Sequence, residues 1–335
     1  MKNTNNTNRN LQKIQQVIEQ GNQPLYNLFN NEEVGKILAS THLVNTPYHG
    51  RVSNKSLQIP FVDRGMDLAL IFGLDLKTFG DKYLEAISGD GQEAKRIRTL
   101  HSSSLLCLLC FYAVSKEKPL VLCLDGKEVI FTESYFEVKN PVGIDMSGRM
   151  HNSNIDVVLF GRYSITGKKV ILFLESKFSE YLVWGGYEGI STFVYREIYS
   201  QLSKGHYLDR MGLKFENTPG KPGYFDLISI KGKTHHYAGG IKQMISHFLG
   251  VKSVADSGKN ADIDVYLGEI LFRFDESIDP EGGKFKDYIE LYEVLAEGLN
   301  NLAESKFKVI NKCFTYQEVF QDFKLDAAVQ AFYSL

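Results

Sequence analysis

Two carboxylates and an ammonium, on Asp156, Glu175 and Lys177, are the side chains in this sequence whose spacing suits chemistry. Glu175 and Lys177 end an apolar run, Lys169-Val-Ile-Leu-Phe-Leu-Glu175-Ser-Lys177, which reads as a buried strand. Positions two apart on a strand project to the same side. Glu175 and Lys177 therefore point together, on the side of Ile171 and Phe173. Charges are costly to bury without partners, so their place at the end of an apolar strand is informative. Asp156 stands near the mouth of an earlier apolar run, Asn154 to Phe160, with eighteen residues between it and Glu175. That is room for the rest of one strand, a turn and the next strand. Paired as a hairpin, 154–160 and 168–178 bring Asp156 to Glu175 and Lys177 at one sheet edge.

Such a set suits the hydrolysis of a phosphate ester. Two carboxylates suit Mg2+, with Mn2+ as a substitute, because these hard ions prefer oxygen ligands and keep several waters. A backbone carbonyl, here that of Ser176, commonly completes the shell. The ion polarises a phosphate and lowers the pKa of a bound water. Lys177 would orient or help deprotonate that water, or neutralise charge developing on the phosphate.

The elements that must hold these residues are legible in outline. Helical spacing is present over 11–20, 25–40 and 78–88, and over 92–115, where the second half (Leu105 to Val114) is apolar on every side and reads as buried. Strands are expected at 120–124, 129–138, 154–160, 168–178, 224–230, 263–274 (one long or two short) and 307–310. Helices are expected over 192–204, 239–251 and 285–306, with two short ones towards Leu335. Helices, then strands flanked by helices, then helices point to an α/β or α+β fold. Residues 1–90 read as a mostly helical N-terminal extension, 91–280 as the core and 281–335 as a C-terminal helical region packed on it.

Composition narrows the class. A chain of 335 residues that is 43% hydrophobic and 23% charged has the makings of a globular protein with a sizeable core. No apolar run reaches the ~20 residues of a membrane span, and the Asn/Thr-rich first ten residues lack the apolar stretch of a secretory signal. Four cysteines do not make a disulfide framework in a chain this long. Cys107 and Cys110, spaced as CxxC with no second pair nearby, read as core. A cytoplasmic location is expected. The net charge of −2 gives no general attraction to polyanions, but 201–260 holds nine Lys/Arg against four Asp/Glu, and 261–335 holds seven against fifteen. The basic stretch could face a polyanion, or pair with the acidic stretch beside it. His206, His235, His236 and His247 lack zinc-ligand spacing, and His101 and His247 read as structural or surface histidines.

Asp156 followed by Glu175-Ser-Lys177 on the next apolar strand resembles the PD-(D/E)xK nuclease superfamily, whose motif is Asp, a variable gap, then Asp/Glu-x-Lys on a strand. The resemblance covers about residues 95–250. Ile155 stands where the family name has Pro. The likeness extends to His101-Ser-Ser-Ser104 opening a buried helix, to Glu180 after the core motif, and to Gln243 in Gly240-Ile-Lys-Gln243 on a later helix. An acidic residue ahead of the Asp is matched best by Glu137, then by Glu133. The resemblance implies a restriction-endonuclease-like fold, a mixed central sheet flanked by helices with added N- and C-terminal helical parts. It implies a Mg2+-dependent endonuclease acting on DNA, related to restriction or defence. Asp156, Glu175 and the Ser176 carbonyl would hold the metal, Lys177 would serve the water, and Glu137 and Gln243 would assist. Lys221, Lys231, Lys233 and Lys242 are the expected phosphate contacts, which give affinity without sequence information. RNA cleavage, and a nuclease-like module that binds nucleic acid or protein without cutting, are the alternatives. Cutting both strands of a duplex favours a homodimer.

Overall fold

The structure, a computed structural model, describes residues 69, 72–88 and 97, and then 102–335 apart from 146, 179, 183–186, 191–192, 218–224, 231–237, 258–261, 277, 304–306 and 334. The expected helices over 11–20 and 25–40, His101, His235, His236 and the lysines Lys221, Lys231 and Lys233 lie outside the described residues.

The described chain enters through α1 (Leu76–Ala86) and α2 (Ser103–Phe111). Four strands follow, β1 (Leu120–Leu124), β2 (Lys127–Ile144), β3 (Met150–Tyr163) and β4 (Lys169–Lys177). Next come β5 (Tyr187–Ile190), α3 (Phe193–Lys204), α4 (Tyr207–Arg210), β6 (Leu213–Asn217), β7 (Phe225–Ser229) and α5 (Ala238–Asp256). The chain closes with β8 (Ile263–Leu271), α6 (Gly283–Asn300), β9 (Phe307–Val309), β10 (Phe314–Thr315), α7 (Tyr316–Val319) and α8 (Ala327–Tyr333).

The central sheet has seven strands in the order β1-β2-β3-β4-β8-β10, with β9 also on β8. The first four pair antiparallel, whereas β4, β9 and β10 run parallel to β8. The fold is therefore mixed α/β, a mixed central sheet flanked by helices, as the element order predicts. Past Lys169, β4 is buried at every position, which is why it reads as an unbroken apolar run rather than an alternating one. One face of the sheet packs with α1, α2 and the C-terminal helices through Val157, Leu172 and Leu174. The other packs with α3, α5 and α6 through Ile155, Val158, Ile171, Phe173 and Leu267. Cys107 and Cys110 are buried on the first of these faces.

Local chemistry fixes the helices nearest the site. Ser102 caps α2 by accepting from the Leu105 N–H at 3.1 Å, so this helix begins at Ser103. Helix α5 buries Ile241, Met244, Ile245 and Phe248, a stripe at helical spacing. Gly250 lets it close on the β2–β3 hairpin: a Cβ there would lie 2.5 Å from Ser153 Oγ and 2.9 Å from Asn140 Cβ. Helix α6 turns Tyr288, Leu291, Tyr292 and Leu295 inward and leaves Glu290, Glu293 and Glu297 exposed. A second sheet, β5-β7-β6, is antiparallel; only its middle strand was expected from sequence. No helix among the described residues is long and apolar enough to cross a membrane.

Candidate active site

The hairpin expected from sequence forms. Val157 pairs with Leu174 and Arg162 with Lys169 across β3 and β4. One step further in that register sets Asp156 across from Glu175. On the other side of β3, Phe136 faces Val157 and Val138 faces Ile155, which puts Glu137 across from Asp156. On the other side of β4, Glu269 pairs with Glu175. Glu137, Asp156, Glu175 and Glu269 thus occupy one row across four adjacent strands.

The row lies where β2 and β3 change face. Phe136 and Val157 pack into the layer with α2, whereas Val138 and Ile155 pack into the layer with α5. On a regular strand, residues two apart share a face. Glu137 makes the switch with φ at +48°, a left-handed conformation that costs a non-glycine residue about 1–3 kcal/mol.

Glu175 is the best-connected member. Its Oε1 accepts from Lys177 Nζ at 2.8 Å and from Gln243 Nε2, while Gln243 Oε1 accepts from the same ammonium at 2.5 Å. The three side chains form a closed triangle, with those of Glu175 and Lys177 only 4% and 3% exposed. Gln243 and His247 are one turn apart on α5 and share a face. His247 Nε2 lies 2.9 Å from Glu175 Oε2, but not in line for a hydrogen bond, which leaves Oε2 without an aligned donor. Burial pushes the Glu175 carboxyl up, but Lys177 and then His247 outweigh it and hold it at about 2. It is ionised at neutral pH.

Asp156 is held differently. Its Oδ2 accepts from the Ser176 N–H at 2.8 Å and its Oδ1 from Ser104 Oγ at 3.4 Å. Burial, then the charges of Glu175 and Glu137, push its carboxyl well above the usual range, against Lys177 and the Ser176 N–H. Glu269 accepts from the Tyr288 hydroxyl at 2.7 Å. Burial raises it to about 7, with Lys177 and Tyr288 opposing.

These residues fit a hard cation. Two carboxylates oppose each other across paired strands, one destabilised by the other's charge and one with an oxygen lacking an aligned donor. Among the described residues no three His, Cys, Asp or Glu side chains converge as a cage. Asp156, Glu175 and the Ser176 carbonyl are the residues that could hold a cation such as Mg2+, which keeps several waters when bound.

Of the residues singled out from sequence, Glu137, Asp156, Glu175, Ser176, Lys177 and Gln243 lie together here. Lys242 is half-buried beside Gln243 on α5. Glu180 sits just past β4 and accepts from the Phe178 N–H at 2.6 Å. His247, read as structural or surface, faces Glu175; its spacing of four from Gln243 was the available signal. Glu269 was missed, although it interrupts an apolar strand much as Glu175 does. Tyr288 carries no sequence signal. Comparison of the chain with protein-family models, curated proteins and solved structures finds no match, which leaves the geometry of its own residues as the guide to function.

Proposed function

We propose that this chain is a metal-dependent endonuclease that hydrolyses phosphodiester bonds of DNA, with a role in restriction or defence. The observation that carries the reading is the buried Lys177 ammonium, fixed by Glu175 Oε1 and Gln243 Oε1 beside the opposed carboxylate of Asp156. A buried ion pair kept for stability alone gains little over apolar side chains of the same size. Adding Asp156 next to Glu175 raises the cost further, which a functional site would explain.

The bound Mg2+ would polarise the scissile phosphate and acidify a water on it. The residues of the chain do the rest. Asp156 and Glu175 would hold the ion through carboxylate oxygens, and Asp156 would release its proton to solvent in doing so. Lys177 Nζ orients the attacking water and offsets charge on the phosphate. Gln243 fixes the direction of Nζ, His247 steadies Glu175 Oε2, and Glu137 adds negative charge beside Asp156. Lys221, Lys231, Lys233 and Lys242 would contact phosphates along the strand, and a homodimer would present two sites to a duplex.

One observation favours a second reading, a nuclease-like module that binds nucleic acid without cutting it. Glu175 and Lys177 are almost fully covered, which leaves a scissile phosphate little access. The test is incubation with plasmid, linear duplex, single-stranded DNA and RNA in Mg2+ or Mn2+, beside Glu175→Gln and Lys177→Ala. The nuclease reading expects cleavage of DNA by the native chain and none by either variant. Cleavage retained by both variants sinks the site. Binding without cleavage of any substrate supports the module, and cleavage of RNA alone shifts the substrate.

A further inference from the structure

Ser176 stands between Glu175 and Lys177 and projects to the opposite face of β4. Its buried hydroxyl lies 3.1 Å from the Ser103 carbonyl and 2.7 Å from the Tyr316 hydroxyl. A carbonyl can only accept, so the single serine hydrogen goes to Ser103 and the Tyr316 hydroxyl donates to Ser176 Oγ.

Tyr316 is 140 residues downstream of Ser176, yet its position is well determined. β10 sets Thr315 beside Leu271. Thr315 Oγ1 accepts from the Glu318 N–H at 3.1 Å and starts α7. The fully buried Tyr316 ring stacks on Phe320, with centroids 5.9 Å apart, and meets Phe111 at 6.3 Å. Phe111 ends α2. The tyrosine therefore reaches the end of α2 with its ring and, through Ser176, the start of α2 with its hydroxyl.

At that start, Ser104 Oγ lies on Asp156 Oδ1, while the Ser176 N–H lies on Asp156 Oδ2. Asp156 is gripped between α2 and β4, and the Tyr316–Ser176–Ser103 chain of hydrogen bonds ties those two elements together.

We propose that Tyr316 is a positioning residue for the cation site, acting through Ser176 to hold α2 and β4 at the separation that aims Asp156 at the ion. The proposal rests on the reading of Asp156 and Glu175 as cation ligands. It makes residues 314–316, contributed by the C-terminal segment, part of the site's framework.

The test uses the full chain, Tyr316→Phe and Ser176→Ala, each titrated calorimetrically with Mn2+ alone, assayed for plasmid cleavage against Mg2+ concentration, and measured for amide exchange at Ser176. Tyr316→Phe keeps the ring contacts. The expected result is a loss of about tenfold or more in Mn2+ affinity, the range found when groups supporting metal ligands are removed. The Mg2+ needed for half-maximal cleavage should rise in step, with cleavage recovering at saturating Mg2+, and the Ser176 amide should exchange faster. Unchanged Mn2+ affinity and Mg2+ dependence in Tyr316→Phe would make the tyrosine a core hydrogen bond and no more. Should Tyr316→Phe not fold, Ser176→Ala decides by the same readouts. A native chain that takes up no Mn2+ and cuts nothing overturns the cation-site reading beneath the proposal; a native chain that binds Mn2+ no more tightly than both variants overturns the positioning role alone.

Discussion

At one end of β3, β4 and β8, Lys168 Nζ pairs with Asp264 at 2.5 Å, Lys308 Nζ pairs with Asp125 at 2.8 Å, and the Tyr163 and Tyr266 hydroxyls meet at 2.8 Å. At the other end, Glu137, Asp156, Glu175 and Glu269 share the row with the ammonium of Lys177 and the ring of His247. The first cluster gives each carboxylate its own lysine and leaves those lysines about half exposed. The second sets four carboxyl groups close together, those of Glu137, Glu175 and Glu269 buried. Exposed, matched pairs contribute little and cost little. Taking carboxylates out of water beside one another is expensive, and Asp156 and Glu269 register that expense in carboxyls pushed upward. That contrast supports the proposed reading of the second cluster as a cation site.

Substitution should break this symmetry hardest in activity. Glu175→Gln or Lys177→Ala should lower DNA cleavage by about 100-fold or more, the scale expected when a group aimed at developing charge is removed. Lys168→Ala and Lys308→Ala should cleave within about twofold of the native chain. Stability comes next. Lys177→Ala leaves Glu175 buried without its main counter-charge and should cost about 3–5 kcal/mol in chemical denaturation. Lys168→Ala or Lys308→Ala should cost less than about 1 kcal/mol.

The pH dependence sharpens the comparison further. The Glu269 carboxyl is raised to about 7 when folded, so the folded chain holds a proton there that the unfolded chain has released. Its contribution is full below the ordinary glutamate range and is lost as pH rises through about 7, a change of about 3 kcal/mol. Denaturation across pH 4 to 8 should show that decline, and Glu269→Gln should flatten it. Glu175 has the opposite sign: held at about 2, it stabilises above the ordinary range and loses that contribution as pH falls towards 2. The smallest effect concerns Asp156, whose raised carboxyl must shed its proton to bind a cation. Mn2+ affinity should therefore climb with pH.

How much of this was legible depended on distance along the chain. The β3–β4 hairpin is local, so its apolar runs and the Glu175/Lys177 spacing could be read directly. Gln243 came into view through the family resemblance, since a glutamine on a helix has no pattern of its own. Glu269 is 94 residues past Glu175, and the parallel register that pairs them is not written in either strand. Tyr316 depends on β10, two residues long, which is too short to leave a periodic signal. The face switch at Glu137 was also invisible, because a left-handed conformation announces itself through glycine or asparagine and here falls on glutamate. β5 and β6 are short and mixed in polarity, so the second sheet was seen only at β7.

The central claim is that Asp156 and Glu175 share one cation. The most direct measurement is an anomalous difference map from a crystal of the full chain soaked in Mn2+. A single peak within about 2.1 Å of a carboxylate oxygen of each residue, the distance expected for a small hard cation, is the predicted result. A peak elsewhere, or none at this row, would contradict it.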